Sequence, residues 1–167
     1  MSQGDDRAIF AEWLREHRGV LFKVVRAYAF TPQDREDLFQ EIATQVWRSV
    51  PAFRGDAAAP TWIYRVALNT AIAWTRRETK HRAGKRTLDE VRPALQQSPH
   101  APDPRLEWLY EQISQLNELD RSLTLLLLDG FSYRDMASLL GITESNVGVR
   151  ISRIKARLTR QAEKESA

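Results

Sequence analysis

Between Gly84 and Pro104 the chain cannot hold a long regular element, because Pro93, Pro99, Pro102 and Pro104 interrupt it and Leu88, Val91 and Leu95 are sparse. A structureless stretch of about twenty residues inside one compact domain is uncommon, so the segment predicts a linker between two domains. The expected division is 1–83, a linker at 84–103, and 104–167. A length of 167 residues with 43% apolar side chains allows two small cores.

Helix signals fill both halves, no strand pattern or repeat is evident, and the expected fold class is all-α. Asp5 or Asp6 can cap a first helix that carries Ile9, Phe10, Trp13, Leu14, Leu21, Phe22 and Val25 at helical spacing. Thr31 followed by Pro32 opens a second, which runs to about Val50 before Pro51 stops it. A loop at 54–59 leads to a third helix from about Pro60 to near Arg82. Beyond the linker, Asp103 and Pro104 start a helix near 104–117. Further helices are expected at 119–129, 132–140 and 143–162.

Charge is segregated although the net is only +3. Arg76, Arg77, Lys80, Arg82, Lys85 and Arg86 face one acidic neighbour, Glu78. Arg150, Arg153, Lys155, Arg157, Arg160 and Lys164 form a second basic run against Glu163. Two separate basic segments suit nucleic acid or another anionic surface, the plainer alternative being solvated helical faces. The chain has no cysteine, which excludes disulfides and cysteine-ligated zinc. Its first residues lack a signal-peptide pattern, and no apolar run nears the ~20 residues of a membrane span. A soluble, cytoplasmic protein with no membrane insertion is expected. His17, His81 and His100 are scattered, and neither a nucleotide-binding glycine loop nor a metal-ligand cluster stands out. No catalytic residue, metal or cofactor is therefore expected, and the chain does not read as an enzyme.

The clearest local motif is a helix-turn-helix. Ser132 and Asp135 are placed for a capping box, Gly141 for a tight turn, and Thr143 for the next cap. Ala137, four residues before the turn glycine, lets the helices cross closely, and Val147 follows six residues after it. At 100° per residue, Val147, Ile151, Ile154 and Leu158 fall within about 60° of one another and form the buried face. The opposite face presents Ser145, Asn146, Val149, Arg150, Arg153 and Arg157. Short polar groups can read base edges there, with arginines reaching guanines or phosphates. Gly148 is unusual inside a helix. It either permits close approach to DNA or marks drift at an exposed site.

In the second helix Asp37, Glu41, Thr44 and Arg48 share one side, flanked by Gln40 and Gln45. That acidic, amide-rich stripe faces water or a basic protein surface. The third helix is apolar nearly all round, with Arg65, Asn69 and Arg76 as a narrow polar stripe. Either Trp62, Tyr64 and Trp74 fill a core, or some rings stay open beside Arg76 and Arg77 to stack on unpaired bases.

Together, Asp37-Leu-Phe-Gln-Glu41, Trp62-Ile-Tyr-Arg-Val-Ala-Leu-Asn69 and Arg76-Arg77 resemble the promoter-melting domain of extracytoplasmic-function sigma factors, of the sigma-70 family. Leu116-Asn-Glu-Leu-Asp-Arg121, Gly130-Phe-Ser-Tyr-Arg-Asp-Met-Ala137 and Ser152-Arg-Ile-Lys-Ala-Arg-Leu158 look like their −35-binding domain. The resemblance spans almost the whole chain apart from the linker, in the family's order and spacing. It implies that Asp37, Gln40 and Glu41 dock on core RNA polymerase. It implies that Trp62, Tyr64, Arg65, Asn69, Trp74, Arg76 and Arg77 bind and melt the −10 element. Ser145, Asn146, Val149, Arg150, Arg153 and Arg157 would contact the −35 element. The linker would thread through polymerase near the RNA exit path, and the extra domains of housekeeping sigma factors are not expected. Core RNA polymerase, promoter DNA and an anti-sigma factor are the implied partners. Ala73, Leu68, Asn146, Gly148 and Val149 depart from frequent family residues and bear on promoter sequence rather than fold. The rival reading is a stand-alone helix-turn-helix regulator that binds duplex DNA as a dimer.

Overall fold

The computed structural model describes residues 2–82 and 103–167, so the expected linker lies outside the described residues except for Asp103. Seven α-helices form among them and no strand, in keeping with an all-α chain. They are α1 (Gln3–Tyr28), α2 (Pro32–Ser49), α3 (Ala59–Arg82), α4 (Pro104–Ser114), α5 (Glu118–Leu128), α6 (Tyr133–Leu140) and α7 (Glu144–Ser166). Contacts divide the chain into two compact units, one ending at Glu107 and the other running from Trp108 to Ala167.

In the first unit, α1 packs on both α2 and α3, and those two pack on each other. Its core is Leu21, Val24, Val25, Tyr28, Leu38, Ile42, Val46, Ile63, Tyr64, Ala67, Leu68, Ala71 and Trp74. The local signals explain the helix ends. Ser2, rather than Asp5 or Asp6, precedes α1, and its backbone amide donates to Asp5 Oδ2 at 3.3 Å. Both aspartates instead sit in the first turn, where carboxylates favour the positive end of the helix dipole. Thr31 Oγ1 accepts from the Asp34 amide at 3.1 Å, as an N-cap does. Pro51 closes α2 into a single 3₁₀ turn, Val50–Ala52, because a proline cannot supply the next helical amide.

Arg35 fastens the α1–α2 corner, its Nε donating to the Ala29 carbonyl at 3.1 Å. Burial, and then the nearby Arg26, hold its guanidinium below the usual arginine range. Edge-on aromatic contacts extend the packing, Trp13 on Phe53 at 5.0 Å and Phe53 on Trp62 at 5.5 Å.

In the second unit, α5, α6 and α7 pack on one another around Leu123, Leu126, Met136, Leu139, Val147, Ile151 and Ile154. Helix α4 stops three residues before the expected 117. Asn117 leaves it to cap α5, its Oδ1 accepting from the Asp120 amide at 2.9 Å. Arg121 then ties the two helices, donating from Nε to the Leu116 carbonyl at 2.8 Å and from Nη2 to the Ser114 carbonyl at 2.9 Å.

Candidate nucleic-acid interface

The helix-turn-helix forms where its caps and turn lie. Ser132 Oγ accepts from the Asp135 amide at 3.1 Å, and Thr143 Oγ1 from the Asn146 amide at 3.0 Å. Between them Gly141 adopts φ +68°, a left-handed conformation that glycine enters without a Cβ clash. The Ile142 amide reaches back to the Ala137 carbonyl at 3.1 Å and closes the turn. Val147 and Ile151 are fully buried, so α7 turns its other face outward. Ser145, Asn146, Val149 and Arg153 are exposed on it, and Arg157 is half-buried.

Arg150 departs from the expected outward reach. Its Nη1 donates to Asp120 Oδ1 at 2.8 Å, and its Nε to Asn146 Oδ1 at 3.3 Å. The reason is a carboxylate thirty residues earlier, in the first turn of α5, which periodicity along α7 cannot reveal. No tight neighbour explains Gly148 in the free protein. An added Cβ would meet only the Tyr133 ring, at an ordinary 3.8 Å. Gly148→Ala is therefore expected to raise stability by about 0.5–1 kcal/mol, read by thermal melting. A stabilised variant that loses promoter activity would assign the glycine to close DNA approach. A destabilised one would show that the Tyr133 packing cannot take the methyl.

In the first unit Asp37 and Gln40 are exposed on α2 and Glu41 is half-buried. Asp37 Oδ1 accepts from Gln33 Nε2 at 3.0 Å. Glu41 forms an ion pair with Arg77 of α3. One residue expected to meet protein and one expected to meet DNA are thus each other's partners. Glu41, Gln45, Asn69, Thr70, Ala73, Arg76 and Arg77 line a shallow groove between α2 and α3.

The aromatic residues of α3 do not form an open platform. Tyr64 is 1% exposed and Trp74 7%, so both belong to the core and their assignment to a DNA-stacking surface is corrected. A ring can stack on a base only with a free face, and here α1 and α2 cover the side of α3 that carries them. Trp62 is half-buried and serves as a tether: its Nε1 donates to Ser49 Oγ at 2.9 Å, and Ser49 Oγ donates to the Val46 carbonyl at 2.7 Å. At the surface α3 leaves Asn69, Ala73, Arg76 and Arg77, then Thr79, Lys80 and His81 toward its end, with Arg65 half-buried.

Sequence reasoning missed Asp120, Asn117 and Ser49. The Asn117-to-Asp120 spacing reads as a helix start, but nothing local announces that Asp120 also receives Arg150. Among the described residues no group of His, Cys, Asp or Glu could hold a metal ion, and no helix is long and apolar enough to cross a membrane.

Comparison with known proteins follows the same division. The sigma-70 region 2 family profile matches residues 13–81, and the sigma-70 region 4 profile matches residues 106–158. The ECF RNA polymerase sigma factor SigM of Mycobacterium tuberculosis is 27% identical over 156 residues, 93% of this chain and 78% of the relative. The RNA polymerase sigma-H factor of Pseudomonas aeruginosa is 30% identical over 172 residues, 93% of this chain and 86% of the relative. Two solved structures share the fold. One is the sigma factor RpoE with the anti-sigma factor NepR from Bartonella quintana (TM-score 0.72, 20% identity, covering 92% of this chain and 96% of that one). The other is CnrH with the cytosolic domain of CnrY (TM-score 0.67, 19% identity, covering 95% and 90%). The chain belongs to the sigma-70 family of RNA polymerase sigma factors, within its extracytoplasmic-function group.

Proposed function

We propose a division of labour between the two units of a sigma factor, with the docking and DNA-reading residues assigned one by one. The chain binds core RNA polymerase and directs promoter-specific transcription initiation. The observation that carries this is the match to both sigma regions, in order, on one chain. A stand-alone helix-turn-helix regulator is not favoured, since it leaves the region 2 match without a role. The chain is a specificity factor rather than an enzyme and works in the cytoplasm beside the polymerase. An anti-sigma factor is its further partner, a kind of protein with which the RpoE neighbour was captured.

Asp37, Gln40 and Glu41 dock on core polymerase. Their acidic, amide-rich surface is exposed or half-exposed and suits a basic protein face. Asn69, Arg76 and Arg77 engage the −10 element from the α2–α3 groove, Arg65 adds a further contact from the same helix, and Trp62 ties that helix to Ser49. Ser145, Asn146, Val149 and Arg153 face the bases of the −35 element, with Lys155 and Arg157 on phosphates.

The direct test is transcription by purified core polymerase, with and without the chain, on a promoter library. Selective initiation only with the chain is the expected result; shifting of duplex DNA by the chain alone, with no dependence on core, would favour the regulator. Replacing Asp37 and Glu41 by Lys is expected to cause a several-fold loss of core binding in a pull-down. The fold survives, because Asp37 is exposed and losing the partly exposed, solvent-screened Glu41–Arg77 pair costs only about 0–1 kcal/mol. Undiminished core affinity in that double variant would remove the docking assignment.

A further inference from the structure

Asn146 and Arg150 sit one turn apart on α7, and neither side chain is arranged at random. The order begins at the start of α5. There Asn117 caps the helix through the Asp120 amide and also donates from Nδ2 to Asp120 Oδ2 at 3.1 Å. The other carboxylate oxygen of Asp120, Oδ1, accepts from Arg150 Nη1 at 2.8 Å, and Arg150 Nε donates to Asn146 Oδ1 at 3.3 Å. The Arg150 and Asp120 side chains are only 31% and 19% exposed, so the pair is shielded better than an open surface ion pair.

This relay fixes the chemistry that Asn146 offers. An arginine Nε–H can only donate, so the group facing it must be the amide oxygen. The amide NH₂ then points away from Arg150. Reading adenine with two hydrogen bonds needs the oxygen and the nitrogen of the amide together on one base edge. With its oxygen engaged by Arg150, Asn146 presents a donor, which suits guanine, whose N7 and O6 both accept, or the O4 of thymine, better than adenine, whose N7 acceptor stands beside the N6 donor.

We propose that Asp120 is a specificity-positioning residue, acting through Arg150 to hold Asn146 as a hydrogen-bond donor toward the −35 element. This rests on the −35 reading of α7 and names a residue on another helix that sets its preference. Asp120 touches no base. Its removal releases Arg150, and with it both groups of the Asn146 amide.

The test uses holoenzyme assembled from core polymerase and the full chain, transcribing a library randomised across the −35 element, with melting curves recorded alongside. Asn146→Ala identifies the base pair that Asn146 reads. The wild-type protein is expected to prefer guanine or thymine there. Asp120→Ala is expected to weaken that preference roughly three- to tenfold, the scale of one hydrogen bond, and to leave the other positions unchanged. Asp120→Asn keeps the size of the side chain but has one acceptor oxygen for the two donors, Arg150 Nη1 and Asn117 Nδ2, and no charge to hold the arginine. It should give an intermediate loss, and it carries the test if Asp120→Ala does not fold. A merely structural Asp120 would lower transcription from all promoters alike, which would overturn the proposal. So would an adenine preference at the Asn146 position, or a preference there that both Asp120 variants leave intact; in each case the −35 reading survives. If neither Asn146→Ala nor Arg153→Ala shifts any position, the −35 reading itself fails and the proposal falls with it.

Discussion

Trp74→Ala is expected to cost the first unit about 3–5 kcal/mol, the usual range for deleting a buried aromatic side chain. Trp74 is 7% exposed and lies on α3, which packs against both α1 and α2. A small domain is stable by only about 5–15 kcal/mol, so the variant loses a large share of that margin. Thermal denaturation of the full chain followed by tryptophan fluorescence and circular dichroism measures it. Tyr64→Ala should behave in the same way, since its ring is as deeply enclosed. By contrast Asn69→Ala and Arg76→Ala, both at exposed positions, should melt within about 0.5 kcal/mol of the wild type and show their effect in open-complex formation. The contrast separates support from contact on one helix. A Trp74→Ala protein that melts normally but opens promoters poorly would return the ring to the surface.

The residues that could be read correctly from the sequence are those whose role is decided by near neighbours. Thr31 with Pro32, Ser132 with Asp135, and Gly141 with Thr143 each announce a helix end within four residues, and each end forms there. The buried stripe Val147, Ile151 and Ile154 follows from helical geometry alone. Helix α3 was not legible to the same degree. Its apolar residues surround the axis, so periodicity cannot say which side α1 and α2 will cover. Packing decides that Tyr64 and Trp74 go inside while Asn69 and Ala73 stay out. Charge pairing escaped for a related reason. Glu41 meets Arg77 across 36 residues and Asp120 meets Arg150 across 30, and any of several neighbouring carboxylates could have served as partner. The candidate interface was therefore visible as a surface of α7. Its internal wiring was set by α5.

The recognition helix carries the second large effect, and Arg153 is the residue on which to measure it. Arg153 is exposed on the face that also presents Asn146 and Val149, while Arg150 is held by Asp120. An exposed arginine pointing into the major groove can give guanine two hydrogen bonds. Arg153→Ala in holoenzyme is expected to cost about 1–3 kcal/mol on the preferred promoter and to relax the choice at one base pair of the −35 element. Lys155 and Arg157 differ in the kind of contact assigned to them. If they neutralise phosphates, alanine at either weakens binding to all sequences alike and reduces the slope of log affinity against log salt by about 1. Stability should change little in each case, because Arg153 and Lys155 are exposed and Arg157 is only half-buried. Binding titrations of the three holoenzymes at several salt concentrations, together with transcription from the randomised −35 library, separate the two kinds of contact. An Arg153→Ala holoenzyme with unchanged base preference and a lowered salt slope would move Arg153 to the phosphate backbone. Sequence reading by α7 would then rest on Ser145, Asn146 and Val149 alone.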